Sequence, residues 1–214
     1  NSSAASDVYK RQPYFTLLAI LAFCLGACPF SVWIGRWALD KDIREYGDGN
    51  PGATNVFRAG GRGWGCLAVL LDVAKGVPFV LISYSFFGLP VTAAMAVAVC
   101  AILGHAFSPL LRLRGGKSVG ITFGTLLALP QHEMVITVAV FMFLGFLFIQ
   151  NDAWRVILGP SGSVAYLIAN GAAAEQAVFM LCVLAILVVK HFDDLQTIPR
   201  PREKLIVWLQ SRRR

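Results

Sequence analysis

Charge is the first thing this chain has little of. Asp, Glu, Lys and Arg make up 14% of its 214 residues, against 57% hydrophobic residues. A soluble domain carries about 25% charged residues, so an ordinary soluble enzyme or binding module is excluded, and the mean hydropathy of +0.64 points to an integral membrane protein. Internal repeats and low-complexity tracts are also missing, which excludes a repeat array. Cysteines number five, and Cys24, Cys28, Cys66, Cys100 and Cys182 all fall in apolar runs with no His or acid joining them. They read as reduced, buried, small hydrophobes rather than metal ligands or a disulfide framework. No Ser/His/Asp or Cys/His set stands out, so nothing points to a covalent nucleophile. The first dozen residues are polar and lack the apolar core of a signal peptide. Residues 1–12 are therefore expected to be an unstructured tail or a sequence remnant.

What is there is a series of apolar runs. A spanning helix needs about 20 mostly apolar residues. Candidate spans run from Tyr14 to Ala38, Gly63 to Phe87, Leu89 to Phe107, Gln131 to Gln150, Val156 to Gly171 and Ala174 to His191, with a short one from Ser118 to Leu129. The expectation is an all-α, polytopic membrane protein with about seven transmembrane helices, one of them short or partial. One domain would cover residues 13–191, followed by a basic tail at 192–214. Within that tail, Leu205 to Leu209 is expected to form an amphipathic interfacial helix, or else a frayed basic end.

The loops after the second, fourth and sixth runs hold no Lys or Arg. Arg36, Lys41, Arg44, Arg58, Arg62, Arg112, Arg114, Lys117 and Arg155 fall in the other loops, on the side of the basic tail. By the positive-inside rule that side faces the cytoplasm. The net charge of +7 then reflects topology and gives no reason to expect nucleic acid.

Two loops on that side carry chemistry. The segment from Asp42 to Gly61 is polar and glycine-rich. Polar irregular backbone beside a bilayer must be satisfied by protein, water or ligand, and glycines let N–H groups converge on phosphate oxygens while Arg supplies a forked cation. Gly115-Gly116-Lys117-Ser118 imitates the end of a Walker A loop, but Leu111 stands where that motif needs its first glycine and no strand precedes it. What remains is a glycine pair and a lysine opening the short helix, a ready anion site. Gly49, Asn50, Gly52, Thr54, Asn55, Arg58, Lys75, Gly115, Gly116 and Lys117 are the candidate phosphate and substrate ligands. Asp72 and Lys75, three apart inside a span, are placed to pair, and to brace or line the site. His105 and His191 end apolar runs on the same side and are candidates to orient or deprotonate a hydroxyl. His132 reads as structural. A transporter for small phosphorylated or carboxylated solutes also fits broken spans and glycine loops, although no matched pair of broken helices appears.

The motifs resemble those of the bacterial acyl-phosphate:glycerol-3-phosphate acyltransferases, over nearly the whole chain after Tyr14. That family's G-S-G-N-x-G-A-T-N-V-x-R is matched by Gly47 to Arg58, its D-x-x-K-G by Asp72, Lys75 and Gly76, and its G-H-x-F-P and G-G-K-G by Gly104, His105, Phe107 and Gly115 to Lys117. Its C-terminal H-R-x-N-I with a later Glu is echoed by His191, Leu195 and Glu203. The resemblance implies transfer of a fatty acyl group from acyl phosphate to the 1-hydroxyl of glycerol 3-phosphate; no cofactor and no metal ligands are expected, and membrane lipids are the surroundings. Departures are Asp48 for the family's Ser, Ser108 with Pro109 for its Pro, Ser118 for its last Gly, and Asp194 for its Asn. Asp48 and Asp194 join the two histidines as candidate catalytic residues, and the two new anions also make a non-catalytic relative conceivable. Asp48 is expected to pair with Arg58 or to hold a divalent ion.

Overall fold

The computed structural model describes residues 2–202. Their regular structure is helical, with one isolated bridge between Ile149 and Pro201. The chain forms two compact units, Asn1–Pro130 and Gln131–Arg214.

The first unit contains α1 (Ser2–Ala27), α2 (Phe30–Ala38), α3 (Ala53–Ala74), α4 (Pro78–Ser85), α5 (Val91–Ala106) and α6 (Val119–Ala128). Helix α1 starts at Ser2, so the described residues 2–12 of the expected unstructured tail are helical. Their Ser and Ala residues tolerate helix, and no glycine interrupts them. The first expected span is broken. Pro29 has no N–H to continue the ladder, and the chain restarts as α2 with Pro29 as its N-cap. The second span begins earlier than expected, at Ala53, so the second half of the first motif is helical. It bends at Gly61, where φ is 77°, and stops at Lys75 before Pro78 opens α4. Long apolar helical stretches at Arg11–Ala38, Ala53–Ser85 and Val91–Leu111 are each sufficient to cross a bilayer, while α6 is short.

Helices pack here through small residues. A Cβ on Gly26 of α1 would overlap the Ala101 carbonyl of α5, and one on Gly104 of α5 would overlap the Phe23 carbonyl of α1. Such backbone contact is how helices associate where lipid removes the hydrophobic drive. Large apolar side chains point outward instead: Leu17, Ile20 and Leu70 are exposed. The cysteines follow this pattern. All five are free, but Cys24, Cys66 and Cys182 are exposed, which corrects the expectation that all are buried. An outward face toward lipid tails accepts a thiol as readily as a core does.

The second unit contains α7 (His132–Phe148), α8 (Asp152–Ala169), α9 (Ala174–Lys190) and the short α10 (Phe192–Leu195). Helix α8 packs against both α7 and α9, and Thr137 Oγ1 donates to Ser163 Oγ at 2.8 Å between α7 and α8. The expected interruption at Asn170–Gly171 is the end of α8, with Gly171 at φ 65°. After α10 the chain is held by Trp154 Nε1 donating to the Thr197 carbonyl at 2.7 Å and Arg202 N donating to the Phe148 carbonyl at 3.0 Å. The expected interfacial helix at Leu205 to Leu209 lies outside the described residues.

Candidate active site

The polar loop between α2 and α3 is fixed by one buried residue. Ile43 is fully buried and packs with Val32, Ile34, Val56 and Ala59. Around it, Asp42 caps a single 3-10 turn, Ile43–Glu45, by accepting the Arg44 amide. The Arg44 guanidinium forks onto the same carboxylate, Nε to Oδ1 at 2.8 Å and an Nη to Oδ2 at 2.5 Å. That hydrogen-bonded pair pulls the Asp42 pKa down to about 2.

With its start pinned, the loop turns back at Gly47 (φ 59°) and Gly49 (φ 71°). A Cβ at Gly47 would run into the Arg58 guanidinium, so glycine is required on space as well as dihedral. Asn55 is the hub. It is buried; its amide donates to Asp48 Oδ1 at 3.0 Å and to the Asn50 carbonyl at 2.9 Å, and its oxygen accepts from Arg58 at 2.9 Å. Gly52 is the N-cap position of α3, whose first turn carries Thr54 and Asn55 and whose second carries Arg58, with Thr54 exposed.

The Gly-Gly-Lys loop is anchored to the end of α5. Gly116 N donates to the His105 carbonyl at 3.1 Å. A Cβ at Gly115 would overlap that carbonyl, and one at Gly116 would overlap the His105 imidazole. Both glycines therefore serve close approach. Lys117 then reaches the first loop, its Nζ donating to Asp48 Oδ2 at 2.8 Å. This corrects the expected Asp48–Arg58 pair: Arg58 is taken by Asn55, and Lys117 holds the carboxylate. Burial raises the Asp48 pKa, but hydrogen bonds from Lys117 and the Asn50 amide outweigh it and hold the carboxyl below the ordinary carboxylate range. An acid of that kind is a poor base at neutral pH. The two glycine loops thus meet through one ion pair, with Arg58 one hydrogen bond further along.

Beneath them lies a buried polar cluster. Lys75 Nζ sits 2.8 Å from Asp72 Oδ1 and donates to the Cys28 carbonyl at 2.9 Å. Lys75, expected among the phosphate ligands, is instead spent on the broken first span, where the helix end leaves carbonyls without partners. Ser108 completes the repair, its hydroxyl donating to the Ala27 carbonyl at 2.6 Å. Sequence reasoning missed Ser31, which donates to Asp72 Oδ2 at 3.3 Å, and missed the repair by Ser108. Pro29 was the available signal, because a proline inside a span announces orphan carbonyls. His105 Nδ1 stands 3.8 Å from Asp72 Oδ1, too far for a hydrogen bond. Asp72, Lys75, His105, Ser108 and Gly116 line, with Pro51, a cavity of about 10 Å³, room for about one water.

Ser118, where the motif has glycine, stands at φ 62°. It is buried, and its hydroxyl has no hydrogen-bond partner among the described residues. In the second unit, His191 is buried at the end of α9, its Nδ1 donating to the Leu187 carbonyl at 2.8 Å. Asp194 is exposed in α10.

Fold and site together define a polytopic helical membrane protein whose two glycine loops meet through the Asp48–Lys117 ion pair. The sequence pattern of the glycerol-3-phosphate acyltransferase family matches residues 16–200. The Streptococcus equi subsp. zooepidemicus (strain MGCS10565) glycerol-3-phosphate acyltransferase is 29% identical over 199 residues, 90% of this chain and 92% of that protein. The Enterococcus faecalis (strain ATCC 700802 / V583) enzyme is 36% identical over 126 residues, 59% of this chain and 58% of its own. The crystal structure of PlsY (YgiH), an integral membrane glycerol 3-phosphate acyltransferase in its glycerol 3-phosphate form, superposes with a TM-score of 0.77 at 25% identity, covering 86% of this chain and 90% of that one. The chain belongs to the glycerol-3-phosphate acyltransferase family.

Proposed function

We propose that this protein transfers a fatty acyl group from acyl phosphate to the 1-hydroxyl of glycerol 3-phosphate at the membrane, releasing 1-acyl-glycerol 3-phosphate and inorganic phosphate. The observation that carries the site assignment is the 2.8 Å contact between Asp48 and Lys117, which joins the loop bearing Arg58 to the loop bearing Gly115 and Gly116. Two cations, Arg58 and Lys117, then serve one small region, as the binding of two phosphates requires.

Acyl phosphate is an activated mixed anhydride, so no enzyme nucleophile is needed. Attack of the glycerol hydroxyl oxygen on the acyl carbon forms the ester C–O bond. The acyl C–O bond to phosphate breaks, and phosphate leaves with the electron pair and takes up the hydroxyl proton as hydrogen phosphate. The protein's tasks are to bring two like-charged substrates together and to stabilise charge growing on the acyl oxygen and the leaving phosphate. Holding reactants in place supplies up to roughly 7–11 kcal/mol in ideal intramolecular cases, and fixed N–H donors and cations act on the developing charge. In this reading Arg58, Lys117, Asn50 and Thr54 bind phosphate, and Gly49, Gly52, Gly115 and Gly116 shape the loops around it, the Gly49, Gly52 and Gly116 amides donating to the Tyr46, Asn50 and His105 carbonyls. His105, beside the Gly116 turn, orients the acceptor hydroxyl. The site and the C-terminus face the cytoplasm, a reading supported by the Lys and Arg asymmetry between loops.

The direct experiment supplies purified protein in lipid vesicles with acyl phosphate and radiolabelled glycerol 3-phosphate. Formation of labelled 1-acyl-glycerol 3-phosphate supports the reading; uptake of label without acylation would establish a transporter instead. For orientation, single cysteines at the exposed positions 45 and 114 in a background lacking the native five should resist an impermeant maleimide in intact cells and react in inverted vesicles. Labelling from outside would reverse the orientation.

A further inference from the structure

Asp48 puts an anion where the family motif has a neutral serine, and its carboxylate is built into the cradle. Oδ2 takes Lys117 Nζ at 2.8 Å. Oδ1 takes the Asn55 amide at 3.0 Å and the Asn50 backbone N–H at 3.2 Å. Arg58 donates to the other end of Asn55 at 2.9 Å. An ammonium, a side-chain amide and a backbone N–H converging on one oxyanion, with a guanidinium one bond behind, is the donor set a phosphate group uses.

We propose that Asp48 is a resident counter-ion of the phosphate cradle. Its carboxylate holds Lys117 and Asn55 in the arrangement they adopt around a phosphate, and a substrate phosphate enters by exchanging with it. This rests on the reading of Arg58 and Lys117 as phosphate ligands. The exchange follows from charge. A phosphate dianion and a carboxylate sharing one lysine repel, and Lys117 cannot serve both at full strength. The carboxylate also has its own use. Arg58 and Lys117 belong to different loops, and an anion between them offsets the repulsion that would spread those loops apart. The family's serine hydroxyl would hold neither cation in this way, so the substitution makes this member bind phosphate more weakly and keep its loops assembled more firmly.

The test compares wild type with Asp48→Asn, which keeps shape and acceptor oxygen but removes the charge, and with Asp48→Glu, which keeps the charge. The readouts are inhibition by inorganic phosphate and the KM for glycerol 3-phosphate, measured separately from kcat. In Asp48→Asn, phosphate should inhibit at roughly three- to tenfold lower concentration, with KM falling alongside it and kcat not rising. Asp48→Glu, which retains the anion, should show no such gain in phosphate inhibition. Unchanged or weaker phosphate inhibition in Asp48→Asn overturns the proposal. Should Asp48→Asn fail to fold, Asp48→Ser, the family's residue, carries the same expectation. Arg58→Ala and Lys117→Ala separate the two levels of argument. If phosphate still inhibits both as it inhibits wild type, the phosphate cradle itself is misassigned. If both lose inhibition while Asp48→Asn gains none, only the counter-ion role fails.

Discussion

Lys75 reaches from the end of α3 into the break of the first span, its Nζ 2.8 Å from Asp72 and 2.9 Å from the Cys28 carbonyl. Its side chain is 1% exposed and that of Asp72 8%. A buried pair of this kind is weak evidence for stability by itself, because desolvation offsets the attraction. Its worth here is positional. It ties the broken span to the helix that carries the first motif, directly below the two glycine loops.

Lys75→Met should therefore destabilise the protein by about 3–5 kcal/mol, since it leaves Asp72 as an uncompensated buried charge. Adding Asp72→Asn should recover most of that loss. Thermal unfolding in detergent checks both. A single mutant that melts like wild type would show that the pair does not hold the break.

Arg58→Ala and Lys117→Ala should each lower kcat/KM by at least tenfold, as expected from losing a charge-assisted contact worth about 1.5–3 kcal/mol. The loss should fall more on KM than on folding, because Arg58 is exposed and Lys117 half-buried. Near-wild-type kinetics in both variants would place the phosphates elsewhere.

Much of this was legible in the sequence, and what was not has identifiable causes. Apolar runs fixed the helices after Leu89 to within a few residues, because a bilayer demands continuous apolar length. They misread the first two spans. Hydropathy does not register Pro29, or the positive φ at Gly61, and both break helices without changing apolarity. The motif residues were legible as a group, since glycine, Asn and Arg between spans have few structural uses. Their pairing was not. Arg58 lies ten residues from Asp48 and Lys117 lies 69 away, and sequence spacing favours the nearer partner. The loop turns at Gly47 and Gly49 hand Arg58 to Asn55 and leave the carboxylate to Lys117.

The Asp42–Arg44 fork carries a pH signature. The folded-state pKa of Asp42 is about 2, below its ordinary 3.8. A depressed carboxylate contributes stability that is full above the unfolded pKa and is lost as pH falls through the folded value. Asn caps a helical turn as well as Asp, so Asp42→Asn removes the charge alone. Wild type should melt higher than Asp42→Asn at pH 6, with the gap closing between about pH 4 and pH 2. A gap that stays constant over that range would assign the effect to the cap and not to the Arg44 pair.

Ser118 is where this chain departs from the glycine of its family, and the structure shows what that departure costs. At φ 62° an L-residue places Cβ close to the following carbonyl, at about 1–2 kcal/mol. Its buried hydroxyl has no partner among the described residues, at about 1–3 kcal/mol more. Against these, glycine loses more backbone entropy on folding, about 0.5–1 kcal/mol. The balance favours glycine, so Ser118→Gly should raise the melting temperature. Ser118→Ala separates the contributions: it removes the hydroxyl but keeps the strained Cβ, and should recover part of the gain. If Ser118→Gly melts below wild type, the hydroxyl has a partner that offsets both penalties. Should it instead raise stability while lowering kcat/KM for glycerol 3-phosphate, the hydroxyl meets substrate, and the strain at the head of α6 is retained for binding.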